Sequence, residues 1–112
     1  MRQLITNAAE SYPPDATERP IWVNAEAVGD GVVVEVTDAG RGIPEADLSR
    51  IYERLFTTKA DGNGLGLPRV YEAITQGFGG FVDIYSREGC GTTVVLTLPR
   101  YTMDISRELA IL

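Results

Sequence analysis

Three glycines alternate with other residues just before a stretch of helical spacing. They are Gly62, Gly64 and Gly66, and Pro68 follows where the first turn of a helix would lie. Glycine lets the backbone approach a ligand closely, and the free amides of a helix N-terminus favour phosphate. The spacing differs from that of the dinucleotide-binding fingerprint, and no Gly-Lys-Ser/Thr follows as in a Walker loop. Taken alone, this pattern is as typical of an ordinary helix-entry turn as of a phosphate site.

A second loop places a carboxylate beside glycines. Asp38 ends a predicted strand and is followed by Gly40 and Gly42. A carboxylate held there accepts a hydrogen bond from an exocyclic amine, which distinguishes adenine from guanine. For an aspartate considered on its own, a role in forming the turn is the commoner explanation.

The first predicted helix carries Asn7. Its amide oxygen is a hard ligand of the kind that suits Mg²⁺, an ion that usually keeps several waters and binds phosphates. On its own, an asparagine in a helix is most often solvated. The asparagine, the aspartate and the two glycine loops therefore become informative only as a set.

Composition excludes several classes of function. The 112 residues suffice for one domain, and 44% hydrophobic and 23% charged residues are ordinary globular values. The chain has no histidine, which excludes serine-histidine and cysteine-histidine catalysis and phosphorylation of a histidine within it. Its single cysteine, Cys90, cannot form an internal disulfide. A net charge of −6 argues against nucleic-acid binding, and no apolar run approaches the roughly 18 residues of a membrane span.

Helical and alternating patterns follow one another along the chain. Helices are predicted over 2–11, from Pro44 onward and along the apolar stripe of Leu67, Val70, Tyr71, Ile74 and Phe78, and strands over 21–28, 32–37, 81–85 and 92–98. This order predicts an α+β fold, a two-layer α/β sandwich with a mixed, mainly antiparallel sheet that helices cover on one face. We assign 1–99 to the domain and 100–112 to a C-terminal tail or linker. Because the first helix begins without a cap, we expect truncation at the N-terminus.

The motifs occur in an order that resembles the ATP-binding catalytic domain of bacterial sensor histidine kinases, within the Bergerat-fold (GHKL) ATPase superfamily. The asparagine box of that family is similar to residues 4–8, its first glycine box to 38–42, its phenylalanine box to 51–59 and its second glycine box to 62–67. Its closing hairpin is similar to 89–93 together with 98–99. The resemblance covers residues 3–99. It implies a Bergerat fold that binds ATP with Mg²⁺.

The resemblance implies roles for individual residues around the base and the metal. Asn7 would coordinate the Mg²⁺ that bridges the phosphates. Asp38 would bind the adenine amine, while Gly40 and Gly42 would leave room for the base. Thr92 would support the adenine through its hydroxyl or through a water.

The resemblance also implies contacts from the loop before the last predicted helix. Phe56 would anchor this loop as a lid over the nucleotide. Gly62, Gly64 and Gly66 would let backbone amides meet the phosphates. Lys59 would approach the terminal phosphate, although an exposed lysine in a polar loop is usually only solvated.

Gln3 bears on the reaction. Hydrolysing members of the superfamily carry a glutamate general base four residues before the metal asparagine, where this chain has a neutral glutamine. The resemblance therefore implies transfer of the γ-phosphoryl group of ATP to a histidine on a separate dimerisation domain. The expected partners are that domain and a response-regulator receiver domain, with no nucleic acid and no direct membrane contact. The expected location is cytoplasmic, whether or not the parent protein is anchored in a membrane.

Two alternatives stay open. Gln3 departs from the family pattern, and Arg54 and Leu55 stand where the family has Pro-Phe. These departures also fit a degenerate nucleotide-sensing or protein-interaction module without phosphoryl transfer. The other alternative is a hydrolytic ATPase subunit. Transfer to a supplied histidine domain distinguishes the kinase from the module, and steady phosphate release by the chain alone indicates hydrolysis.

Overall fold

The computed structural model describes residues 2–57 and 67–99. Within these ranges the side chains of residues 52–57, 67 and 68 are left undescribed. The predictions for Lys59, Gly62, Gly64, Gly66 and the tail 100–112 therefore lie outside the described residues. Phe56 is described only through the backbone of its helix.

The described elements follow the predicted order. They are α1 (Arg2–Glu10), β1 (Ile21–Val28), β2 (Gly31–Asp38), α2 (Glu45–Thr57), α3 (Leu67–Glu72) continuing into a π-helical turn (Ala73–Gly77), β3 (Phe81–Ser86) and β4 (Thr92–Pro99). The predicted α+β class with helices and an antiparallel sheet is confirmed. Among the described residues, no helix is long and apolar enough to cross a lipid bilayer.

Local chemistry accounts for the element boundaries. The turn between β1 and β2 contains Gly29 at φ +57°, a conformation that glycine adopts without steric cost. Pro44 precedes α2, and Glu45 and Asp47 lie in its first turn, where negative charge is favourable.

The π-helical turn after α3 was not predicted from the sequence. Phe78 N–H donates to the carbonyl of Ala73 at 3.2 Å, five residues back. The Thr75 hydroxyl donates to the carbonyl of Tyr71 at 2.7 Å, a contact that competes with the regular helical pattern. The wider turn still buries Ile74 completely, and Phe78 is only 7% exposed, so the predicted apolar stripe reaches the core.

The sheet order is β1-β2-β4-β3, and each neighbouring pair of these described strands is antiparallel. Since β4 is antiparallel to both of its neighbours, β2 and β3 run in the same direction with β4 between them. The ends of β2 and β3 and the start of β4 therefore meet at one end of the sheet. There Asp38 pairs with Thr92, and Ser86 pairs with the same threonine from the other side.

One face of the sheet forms the core with the helices. The buried hydrophobic cluster consists of Leu4, Ala8, Val34, Val36, Val70, Ile74, Phe78, Val82, Ile84, Leu96 and Leu98. Ile21, Val23, Ala25 and Ala27 share this face of the sheet, as predicted, through their pairing with β2. Val23 is nevertheless 51% exposed, so the described helices leave the β1 edge of this face uncovered.

Adjacent valines of β2 offer a matched test of which sheet face is the core. Val34 is 4% exposed and belongs to the core cluster, whereas Val33 is half-buried on the opposite face. We expect Val34→Ala to lower the free energy of unfolding by about 2 kcal/mol, because it removes buried methyl groups and leaves a cavity. Val33→Ala should cost less than about 1 kcal/mol. Urea denaturation of both variants measures the difference, and equal losses would contradict this assignment of the core.

Candidate functional site

A cavity of about 460 Å³ lies between α1, the end of the sheet and the loop after β2. Its floor includes Val36, Val94 and Ile84, which form one cross-strand row on the core face of the sheet. Asp38 and Thr92, from the next row, also line the cavity. A largely apolar cleft of this size with a few polar groups is typical of a small-molecule site.

Asp38 is a buried polar group of this cavity. Its side chain is 7% exposed, and its Oδ1 accepts the backbone N–H of Gly40 at 2.9 Å. A carboxylate has about four acceptor positions, so this bond leaves capacity for a further donor. The loop thus holds the carboxylate in one orientation, as an acceptor at the cavity wall.

Glycines let the backbone of three segments come together around this carboxylate. A Cβ on Gly40 would lie 2.1 Å from Oγ of Ser11, and a Cβ on Gly42 would lie 2.0 Å from the carbonyl oxygen of Arg87. Gly42 also has φ +69° and lines the cavity, whereas Gly40 is not among the lining residues. The packing against Ser11 gives position 40 a requirement for glycine that involves no ligand.

Arg41 ties the loop after β2 to the C-terminal end of α1. Its backbone N–H donates to the carbonyl of Ser11 at 3.0 Å, and its Nη2 donates to the carbonyl of Glu10 at 2.9 Å. A cation at the end of a helix is favourable because the last carbonyls carry partial negative charge. The two contacts hold α1 and the loop on facing sides of the cavity.

Asn7 faces the cavity from α1. It is half-buried, and its Oδ1 accepts a hydrogen bond from Nε2 of Gln3 at 3.2 Å, one helical turn earlier. Gln3 therefore orients the amide of Asn7, a role that the sequence reasoning did not assign to it.

Thr92 belongs to a small hydroxyl network at the start of β4. Its Oγ1 lies 2.7 Å from Oγ of Ser86. That serine oxygen also lies 2.8 Å from the backbone N–H of Ile43 and 2.9 Å from the carbonyl of Gly91. Ser86 therefore joins the loop after β2 to the turn before β4.

The structure brings Asn7, Asp38, Gly42 and Thr92 to one cavity, and Gly40 lies immediately behind it. Sequence reasoning missed the supporting residues Ser11, Arg41 and Ser86. No periodicity marks them, since each acts through a contact between segments far apart in the chain. Of the remaining predicted site residues, Phe56 is described only through the backbone of α2. The others, Lys59, Gly62, Gly64 and Gly66, lie outside the described residues.

The sequence family described as "Histidine kinase-, DNA gyrase B-, and HSP90-like ATPase" matches residues 1–102. The chain belongs to this ATPase family. It is accordingly an ATP-binding domain of the GHKL type, and the predicted family is confirmed.

Curated relatives of this ATPase-family domain are sensor kinases. Sensor histidine kinase ZraS of Escherichia coli K12 is 46% identical over 88 residues, which are 79% of this chain and 18% of ZraS. Sensor kinase CckA of Brucella abortus is 51% identical over 73 residues, which are 63% of this chain and 8% of CckA. The chain thus spans less than a fifth of the length of these relatives, and it is homologous to their ATPase catalytic domains.

A solved structure agrees with this family assignment. The nucleotide-free catalytic domain of histidine kinase ThkA superimposes with a TM-score of 0.65 and 32% identity. The match covers 88% of this chain and 62% of the ThkA chain. The predicted fold of a histidine kinase catalytic domain is therefore confirmed.

Tyr12 provides a test of how the loop after β2 is supported. Its buried hydroxyl accepts the N–H of Ala39 at 2.8 Å and donates to the carbonyl of Pro20. We expect Tyr12→Phe to lower the free energy of unfolding by about 1–3 kcal/mol, since two backbone groups lose their partner. Tyr85→Phe is the control, because Tyr85 is 62% exposed and should change stability by less than about 0.5 kcal/mol. Equal urea midpoints for Tyr12→Phe and the unsubstituted chain would contradict the conclusion that the Tyr12 hydroxyl supports the loop after β2.

Proposed function

We propose that this domain binds Mg-ATP in the cavity beside α1 and transfers the γ-phosphoryl group to a histidine on a separate dimerisation domain. The observation that supports this most directly is the convergence of Asn7, Asp38 and Thr92 on one cavity in a member of an ATPase family. The sensor histidine kinase relatives support the choice of a histidine as acceptor.

The base of the nucleotide is proposed to lie over the apolar floor. There Asp38 accepts the exocyclic amine of adenine with the acceptor capacity that its bond to Gly40 leaves. Thr92, on the neighbouring strand β4, supplies a second polar group beside Asp38. The apolar row of Val36, Val94 and Ile84 supplies the surface that excludes water from the base.

The phosphates are proposed to lie toward Asn7. The residues present fit a Mg²⁺ ion that takes one hard oxygen from the protein and otherwise keeps waters and phosphate oxygens. Among the described residues, no cluster of three or more acidic, cysteine or histidine side chains offers a cage formed by the protein alone. The ion would supply charge neutralisation at the phosphates. Residues Phe56, Lys59, Gly62, Gly64 and Gly66 keep the lid and phosphate roles that the resemblance implies.

The transfer needs an acceptor from another domain, because the chain contains no histidine. The lone pair of a neutral imidazole nitrogen forms the P–N bond while the bond from the γ-phosphorus to the bridging oxygen of ADP breaks. The proton of the other ring nitrogen leaves to solvent. Gln3 is neutral and holds Asn7, so this part of the site does not activate water. Positioning and charge stabilisation then account for the reaction.

The wider assignments follow from the same proposal. Residues 1–99 would form the catalytic domain and 100–112 a tail or linker. The partners would be the histidine-bearing dimerisation domain and a response-regulator receiver domain. The domain would work in the cytoplasm, whether or not the parent protein is anchored in a membrane.

Titration calorimetry with and without a chelator tests the nucleotide site and the metal. We expect EDTA to weaken ATP binding at least about tenfold, and we expect Asn7→Ala to abolish most of this metal dependence. Asn24→Ala is the matched control, because Asn24 is exposed on β1, away from the cavity. Equal affinity with and without EDTA would contradict the role of Asn7.

Labelled ATP tests the transfer. The chain, Mg²⁺ and γ-labelled ATP are mixed with a purified helical dimerisation domain that carries a phosphorylatable histidine. We expect acid-labile label on that domain and none when its histidine is replaced by glutamine. ATP binding without transfer would favour the nucleotide-sensing module, and steady phosphate release by the chain alone would favour a hydrolytic ATPase.

A further inference from the structure

The sheet face opposite the core carries large exposed aromatic side chains. Trp22 is 54% exposed, Phe81 67% and Tyr85 62%. The strand register places them in three cross-strand rows, which end at Trp22 and Tyr85, at Asn24 and Asp83, and at Glu26 and Phe81. We call these three rows the outer face. Because the rows are consecutive, the aromatic rings belong to one continuous surface, which is typical of an interaction site.

The outer face combines this apolar area with negative charge. Val33 and Val95 lie on its two inner strands, and Glu35 and Asp83 lie on either side of Val95 in one row. Glu26 supplies a third carboxylate, and none of the described strand residues in the three rows is lysine or arginine. Among the described residues, no cation forms an ion pair with these carboxylates. The surface therefore has an apolar centre with carboxylates beside it.

Electrostatics restricts what can cover the outer face. A second copy of this chain would bring the same carboxylates against these, and the chain has a net charge of −6. A nucleic acid or an anionic membrane is repelled for the same reason. Arg87 lies beyond the end of β3, outside the three rows, and leaves their negative charge intact. The charge complement of this surface is a cationic polypeptide with apolar side chains.

We propose that the outer face docks a positively charged amphipathic helix of a partner protein. A sheet face presents side chains rather than backbone groups, so it suits a helix, whose backbone hydrogen bonds are internal. A helix of about 13 residues is about 20 Å long, which is enough to span the three rows. Its apolar stripe covers Val33 and Val95. Its lysines or arginines, on both sides of that stripe, meet the carboxylates and stack on the aromatic rings.

Trp22 reports directly on this surface, because it is the single tryptophan of the chain. The probe is a synthetic 18-residue peptide with leucines at helical spacing and lysines elsewhere. We expect its titration to shift the Trp22 emission to shorter wavelength and to protect the ring from acrylamide quenching. High salt should weaken this binding. A peptide with glutamates in place of the lysines should produce no shift.

Matched double variants test the contribution of the outer face. We expect Glu35→Gln with Asp83→Asn to raise the peptide dissociation constant at least about tenfold. Asp47→Asn with Glu72→Gln is the control, because it removes the same charge from the helices on the other side of the sheet and should change the constant less than about twofold.

Tyr85→Ala tests the aromatic contribution. It should raise the dissociation constant about tenfold, because it removes an exposed ring from the end of the row that begins at Trp22. Melting curves establish that each variant is folded. ATP affinity should stay unchanged in all of them, because the nucleotide cavity lies on the opposite face of the sheet.

Several results would overturn the proposal. One is a Trp22 emission that the lysine peptide leaves unchanged, and another is an equal shift with the glutamate peptide. Equal weakening by the two double variants would reduce the binding to net charge. A Trp22 that is already protected from acrylamide in the free chain would mean that this chain covers its own outer face. If that protection grows with protein concentration, a second copy is the occupant instead of a cationic helix.

Discussion

Replacing Asp38 with asparagine is expected to weaken ATP binding by roughly 10- to 150-fold, the worth of one hydrogen bond to a charged acceptor. Asparagine can keep its oxygen on the N–H of Gly40, but its NH₂ group then lies at the second carboxylate position. A donor would meet the donor amine of adenine. The same variant should lose most of its preference for ATP over GTP, because a guanine carbonyl tolerates that donor.

The control for Asp38→Asn is Glu35→Gln. Glu35 lies three residues earlier in β2, on the sheet face opposite the core, so its replacement removes the same charge without touching the cavity. Calorimetry with ATP and GTP on both variants measures affinity and selectivity together. ATP binding that survives Asp38→Asn with unchanged selectivity would remove Asp38 from the adenine site, and an equal loss in Glu35→Gln would reduce the effect to net charge.

The second large effect is expected at Gly91, in the turn before β4. Gly91 has φ +87°, and a Cβ there would lie 2.1 Å from the carbonyl oxygen of Asp38. A side chain in this left-handed conformation costs about 1–2 kcal/mol, and the overlap with fixed backbone adds about 1–3 kcal/mol. We expect Gly91→Ala to lose about 2–5 kcal/mol of stability and to weaken ATP binding, because the backbone of Asp38 must move.

Gly89→Ala separates the cost of the left-handed conformation from the cost of the overlap with backbone, within the same turn. Gly89 has φ +81°, close to the value at Gly91, but nothing lies within 4 Å of the position that a Cβ would take there. It should show only the conformational cost of about 1–2 kcal/mol and leave ATP affinity unchanged. Thermal and urea unfolding measure both variants. Equal losses at the two positions would mean that the turn does not pack against the backbone of Asp38.

Local patterns in the sequence predicted the elements well because their causes are local. Alternation and the glycine turn predicted the β1–β2 hairpin, and the prolines at 13–14 predicted the end of α1. The π-helical turn was missed because its apolar spacing is nearly the same as that of an ordinary helix. The contact of Thr75 with Tyr71 competes with the regular helical hydrogen bonds, and the sequence pattern does not predict it. The roles of the predicted site residues between Lys59 and Gly66 remain predictions from the resemblance.

The supporting contacts of the site could not be predicted in this way. Ser11 packs against Gly40, and Arg41 reaches the end of α1 from a loop about 30 residues away in sequence. Such contacts depend on which strands become neighbours. Motif spacing identified Asn7 and Asp38 as a set, but it carried no information on the residues that orient them.

The sequence by itself determined the family, the order of the elements and the chemical types of the candidate binding residues. These follow from motifs and periodicity, which are local properties of the chain. Only the tertiary structure decided that β4 lies between β2 and β3. That placement sets Asp38, Thr92 and Ser86 side by side in one row. The physical reason is that burial of the whole sheet face against the helices decides which distant strands pair. A local sequence pattern does not determine that pairing.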